Sequence, residues 1–203
     1  MAVVLSARGQ DLDHGLVQVD VEPGVVVQFY KSPNDKAALK RVEIIHDSAI
    51  GVPGVKGSRA SCEWLEPELF APDESQFYMI CKSQAGEWME VVVNDEKDET
   101  MWVKKSGKVR PISWLEFLHQ MFVIERENPE SNPICTKPDK GSSKLQYTGT
   151  DLFKARSIKA DWMEIYTLEG ANESDGVKEK ISSGWIRWRD KDGLIISYQR
   201  LGV

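Results

Sequence analysis

Gly86–Lys105 reads GEWMEVVVNDEKDETMWVKK; Ala160–Gly170 reads ADWMEIYTLEG, and the pattern resumes at Ser183–Gly193 as SGWIRWRDKDG. Each copy opens on Trp-Met-Glu, runs into an aliphatic stretch, passes a charged loop and returns on a strand that contains Trp (Trp102, Trp185). The aliphatic stretches read as strands, and along a strand side chains fall on alternate faces. One pattern written twice, about 75 residues apart, predicts two small β modules rather than one large domain.

Working outward, the first module gathers more strands. Leu16-Val17-Gln18-Val19-Asp20-Val21 alternates, Pro23-Gly24 turns the chain, and Val25–Tyr30 is rich in β-branched residues. Val42–Ile45 and Phe77–Cys81 read as further strands. Residues 47–74 are broken by Gly51, Pro53, Gly54, Gly57, Pro67 and Pro72 and read as an irregular insertion, pinned by Trp64, Leu65, Leu69 and Phe70. Residues 1–15 are polar and have little period, which suggests a loose or edge segment.

Between the copies stands one helical pattern. Ser113 is followed three residues on by Glu116, a capping box, and Trp114, Leu115, Phe117, Leu118, Met121 and Phe122 recur on one face. A helix is expected over 113–124, then a linker at Asn128–Pro133. Past it, Ile134–Lys140 matches Phe29–Asp35 as a strand followed by a Pro turn, and Leu152–Ile158 leads into Trp162 as Phe77–Lys82 leads into Trp88. Residues 170–183 read as a polar loop, and Asp192-Gly193 as a hairpin turn.

The strand, the Pro-containing turn, W-x-x-V/I and the Gly-Trp-hydrophobic strand together resemble the bacterial SH3-like barrel. Trp162, Ile165, Gly184, Trp185 and Ile186 carry the likeness in the second copy; Trp88, Val91, Trp102 and Val103 carry it in the first, where Met101 stands in place of Gly. The resemblance implies a mainly β chain: an SH3-like barrel over 1–110, a connecting amphipathic helix and linker over 111–132, and a second SH3-like barrel over 133–203. It also implies small non-enzymatic modules, often found in exported proteins and fused to cell-wall hydrolases.

Composition narrows the function. The 203 residues are 41% hydrophobic and 29% charged, ordinary for a folded domain. A net charge of -6 disfavours a nucleic-acid partner, which wants a basic face. No apolar run reaches the ~20 residues of a membrane span, and no signal-peptide pattern opens the chain. A lean toward an exported or cell-envelope protein holds only if a signal has been removed. Cys62, Cys81 and Cys135 are too widely spaced for a zinc knuckle or a Cys-x-x-Cys pair and read as buried thiols.

Candidate chemistry is sparse. His14, His46 and His119 form no recognisable block with a cysteine, so no catalytic residue is assigned. Glu90 and Glu164 fall on solvent-facing strand positions. Asn94–Glu99 and Asp190–Gly193 lack the form of a calcium loop, so neither metal nor cofactor is expected. Lys104, Lys105, Lys108 and Arg110 read as a solvated basic edge.

The strongest candidate is an aromatic and cationic face. Period two puts Trp162, Glu164 and Tyr166 on one side of a strand, and Trp185, Arg187 and Arg189 on one side of the next. Trp162, Tyr166, Trp185, Arg187 and Arg189 are the expected ligand-binding residues for a peptide, glycan or protein partner. Two other readings stand beside it: a cell-envelope hydrolase with its site under 47–74, and a scaffold that uses its aromatics internally.

Overall fold

The computed structural model describes residues 13–48, 51–57, 62–167 and 180–199. The chain is mainly β, arranged in several sheets. It divides into two compact units, with the boundary between Ser113 and Trp114. Most of the segments read as residues 1–15 and 170–183, and part of 47–74, lie outside the described residues.

The N-terminal unit holds β1 (Leu16–Val19), β2 (Val26–Phe29), β3 (Lys40–Asp47), β4 (Val52–Val55), β5 (Leu69–Ala71), β6 (Gln76–Ala85), β7 (Trp88–Asn94), β8 (Glu99–Lys104) and β9 (Val109–Ile112). Its main sheet runs β8-β7-β6-β1-β9, with β5 added beside β6, while β2, β3 and β4 form a second sheet. Val17, Val19, Met79, Met89, Val91 and Val103 alternate onto one buried face, and Val27, Phe29, Val42 and Ile44 of the second sheet join the same core. The described part of 47–74 is more regular than its glycines and prolines suggest. It supplies β4 and β5, and Cys62, Leu65 and Phe70 enter the core, with Trp64 set edge-on to Phe29 at 5.1 Å.

The C-terminal unit holds α1 (Trp114–His119), β10 (Val123–Arg126), β11 (Phe153–Lys159), β12 (Trp162–Thr167), β13 (Gly184–Arg187), β14 (Arg189–Asp190), β15 (Gly193–Leu194) and β16 (Ile196–Gln199). Its sheet runs β13-β12-β11-β10-β16, the strand order of the first sheet repeated, and β14-β15 is a separate hairpin.

The repetition extends to register. Cys81 pairs with Val91, Ser83 with Glu90 and Ala85 with Trp88; in the second copy Ala155 pairs with Ile165, Ser157 with Glu164 and Lys159 with Trp162. Both ladders slip at the same place, between Cys81 and Ser83 and between Ala155 and Ser157. On the far side Glu90 pairs with Trp102, and Glu164 with Trp185. The strand-and-turn match also holds: Tyr30 bridges Trp102, and Cys135 bridges Trp185.

Two expectations need correction. The sheets do not close into barrels. Each is an open path of strands, and among the described residues no ladder joins β8 to β9 or β13 to β16. Each edge strand is met by a single bridge instead, β8 at Trp102 by Tyr30 and β13 at Trp185 by Cys135, which pairs the backbone at those two residues without closure. The helix expected over 113–124 has six residues and buries Trp114, Phe117 and Leu118. β-branched Val123 and Ile124 instead start β10, which pairs with β11 and β16. Phe122, assigned by periodicity to the packed face, is 41% exposed.

Candidate functional site

β12 places Met163 and Ile165 in the core, and alternation turns Trp162, Glu164 and Tyr166 to the other side, where all three are half-buried. β13 does the same with Ile186 inside and Trp185 and Arg187 outside. Directly opposed residues of an antiparallel pair share a face. Trp162 therefore stands beside Arg187, and Glu164 beside Trp185.

The bulge in β11 completes this face. Strict alternation would put Ser157 on the same side as buried Ala155. The slip between them rotates Ser157 outward instead, opposite Glu164. Ser157 Oγ then donates to Glu164 Oε2 at 2.8 Å, and Ser183 Oγ donates to Oε1 at 2.7 Å. Arg156 Nη1 lies 3.4 Å from the same Oε1, and its guanidinium sits 4.9 Å from the centre of the Tyr166 ring. The hydroxyl of Ser183, then that of Ser157, with help from Arg156, holds the Glu164 carboxyl below its ordinary pKa of 4.5. Glu164 is thus a saturated anion that ties neighbouring strands together.

Arg189 does not extend this face. β13 stops at Arg187, and Arg189 starts a new strand, donating to Asp161 at 2.9 Å and lying 5.0 Å from the Trp188 ring. Trp188 is 2% exposed; it donates its indole N–H to the Ala160 carbonyl and packs against Trp114 at 5.6 Å. Of Trp185 and Trp188, then, Trp188 is the one taken by the core. Arg187 is fixed through its backbone. Asn132, 5% exposed, donates to the Arg187 carbonyl and accepts from its N–H. Asn132 lies in the stretch read as a linker, and its pairing role left no sequence signal.

The N-terminal unit repeats the frame of this face with different trim. Glu90 accepts from Ser83 Oγ at 2.8 Å and from Thr100 Oγ1 at 3.0 Å. Trp88 stands beside Lys104, where Trp162 stands beside Arg187. Tyr30 packs edge-on against Trp88 at 5.0 Å. Val92, which holds the place of Tyr166, is buried, and Lys82, which holds the place of Arg156, is paired with Asp98 at 2.6 Å.

Other candidates resolve into structure. Cys62, Cys81 and Cys135 are buried and unbridged, while His14, His46 and His119 are exposed. Burial pushes the Cys81 thiol up to about 11, far from the thiolate a nucleophile needs. Lys108 is neutralised by Glu22 at 2.6 Å and Asp20 at 3.4 Å, and Arg110 donates to Gln18, so the basic edge is partly satisfied. Asn94 is buried and caps its own hairpin by accepting from Lys97 N–H. Among the described residues, no three His, Cys, Asp or Glu side chains gather as a metal site, and no helix is long and apolar enough to cross a membrane. An open pocket at Tyr147, Gly149 and Thr150 is floored by the Arg126–Asp151 ion pair, two residues that sequence reasoning passed over.

No protein-family model matches the chain, and no curated protein matches it. Among solved structures, NlpC2 from Trichomonas vaginalis is similar over 94% of this chain and 50% of its own, with a TM-score of 0.36 and 9% identity. This chain therefore spans half the length of that protein.

Proposed function

We propose that the chain is a non-enzymatic binding protein made of two SH3-like β units, and that the C-terminal unit takes a peptide, glycan or protein partner on the outer face of its sheet. Trp162, Tyr166 and Trp185 form the contact surface, Arg187 lies beside Trp162, and Arg189 borders the site from its pairing with Asp161. The observation that carries this reading is that these three aromatic side chains share one half-buried face while Met163, Ile165, Ile186 and Trp188 fill the core. Rings held by a rigid sheet lose little entropy on binding, and a neighbouring guanidinium adds direction.

Side-chain pairing inside the C-terminal unit supports the reading. The Glu164 clip and the Asn132 clamp fix the strands that carry the rings, so the surface is preorganised. The test is a peptide and glycan array, with each binder re-measured by calorimetry against the wild type and against Trp185→Ala and Tyr166→Ala. The reading expects at least about tenfold weaker binding in both variants, with unchanged circular dichroism. Binders indifferent to both substitutions overturn it.

A further inference from the structure

The two units share one frame and differ in its decoration. Common to both are the paired Trp residues, the carboxylate between them and its two hydroxyl donors. Features present in both copies make the platform. What only one copy carries points to how that copy uses it.

The C-terminal face differs from the other at Arg156, Lys159, Tyr166 and Arg187. Their counterparts in the N-terminal unit are Lys82, neutralised by Asp98; Ala85; Val92, buried; and Lys104. The Tyr30 edge that covers Trp88 has no counterpart over Trp162, because Cys135 holds the equivalent place and is itself buried. One copy is trimmed as scaffold, and the other keeps its rings uncovered by such a neighbour and rims them with cations.

Charge decides the partner. Arg156 is 48% exposed and meets Glu164 through one nitrogen at 3.4 Å, Lys159 is exposed, and Arg187 is half-buried with Nη2 donating to the Arg189 carbonyl at 3.1 Å. Of the acids here, Glu164 is held by Ser157, Ser183 and Arg156, and Asp161 by Arg189, so neither offers much to an incoming cation. The chain as a whole is at -6, which repels a long polyanion but leaves a short anionic segment free to seat on a local cationic patch. Same-side residues along β12 recur every second position, about 6.6 Å apart, and an extended peptide presents its own same-side groups at that repeat.

We infer that the outer face of β11, β12 and β13 binds an acidic peptide segment in extended conformation, its carboxylates meeting Arg156, Lys159 and Arg187 and its apolar groups resting on Trp162, Tyr166 and Trp185. This rests on the binding reading above and names the class of partner.

The probes are a synthetic peptide alternating Glu and Phe, its Lys-for-Glu counterpart, an uncharged Gln-for-Glu counterpart, and a polygalacturonate oligosaccharide as a carboxylated glycan. Binding to the full chain is followed by tryptophan fluorescence and calorimetry. The Glu peptide is expected to bind, about tenfold more weakly when salt rises from roughly 50 to 200 mM. Arg156→Gln, Lys159→Gln and Arg187→Gln should each weaken it about three- to tenfold, while Lys82→Gln and Lys104→Gln leave it unchanged. Preference for the Gln or Lys peptide, preference for the oligosaccharide, or indifference to the three cation substitutions overturns the inference. If such a ligand is still lost in Trp185→Ala, the acidic partner falls and the binding face stands; if no ligand depends on the rings, both fall.

Discussion

Glu164 stands directly opposite Trp185 across β12 and β13, as Glu90 stands opposite Trp102 across β7 and β8. In both units the carboxylate accepts from a serine brought round by a β-bulge and from a hydroxyl on the third strand or just before it. The bulge and the carboxylate are coupled, since without the slip the serine would point into the core. Glu164→Ala is expected to destabilise the C-terminal unit by about 1–2 kcal/mol, and Ser183→Ala by about 0.5–1 kcal/mol. Because folding lowers the Glu164 pKa below 4.5, its contribution is fully present above that pH and is lost as pH falls through the lower folded value. Urea unfolding of Glu164→Gln and wild type should therefore differ at pH 7, and the gap should shrink as pH falls below 4.5; a gap that stays constant on acidification would remove the carboxylate from the account.

The hairpin before each Trp-Met-Glu gives a second test. Gly86 and Ala160 occupy the same turn position, with φ of 57° and 50°. Glycine adopts that conformation without strain, whereas alanine pays about 1 kcal/mol for it. A Cβ at Gly86 would meet nothing within 4 Å, so its substitution reads backbone strain alone. Ala160→Gly should raise stability by up to about 1 kcal/mol, and Gly86→Ala should lower it by a similar amount. Thermal melts of the two variants decide it: shifts of the same sign would break the equivalence of the turns.

These two tests mark what the sequence makes visible. The Trp-Met-Glu repeat and its alternation locate both strand pairs, and the likeness of Ile134–Lys140 to Phe29–Asp35 anticipates the bridges of Cys135 and Tyr30. The bulges stay hidden, because a period of two assigns Ser83 and Ser157 to the wrong side and nothing local signals the slip. β10 stays hidden for another reason. Met121 and Phe122 extend the helical spacing of Trp114–Leu118, and pairing with β11 and β16, both far along the chain, makes 123–126 a strand. The break between Arg187 and Arg189 has no local signal either: β13 ends at Arg187, and Trp188 packs against Trp114.

The cysteine chemistry follows from burial. Cys81 lies in β6 opposite Val91, with its thiol raised to about 11 from 9.0. Thiol reagents at pH 8 should label Cys62, Cys81 and Cys135 only at the rate of opening, with full reaction in denaturant. The thiol is protonated in the fold over a range where the unfolded chain already ionises it. Its contribution is thus complete below pH 9 and declines as pH rises toward 11. Ala155 fills the matching position of the other unit, so Cys81→Ala should cost only about 1 kcal/mol, and Cys81→Ser more, about 2 kcal/mol, for its buried hydroxyl. Rapid labelling of native Cys81 would contradict the buried strand.

The Arg126–Asp151 pair carries the sharpest stability prediction. Arg126 Nε and Nη2 meet the two Asp151 oxygens at 2.6 and 2.7 Å, Nη1 donates to the Asn132 carbonyl at 3.0 Å, and the guanidinium lies 5.7 Å from the Phe153 ring. The side chains are 6% and 12% exposed, so each ion depends on the other for solvation. Removing one partner leaves a desolvated charge behind, and Asp151→Ala should cost about 3 kcal/mol. The pair itself offsets much of its own desolvation. Arg126→Met with Asp151→Leu should therefore cost less than Asp151→Ala alone, because nothing charged remains buried. Burial also shields the pair from salt, so the loss in Asp151→Ala should be nearly the same at low and at high ionic strength. Denaturant unfolding of the single and double variants at two salt concentrations measures all of this. A double variant less stable than the single one would show the ion pair to be a net source of stability.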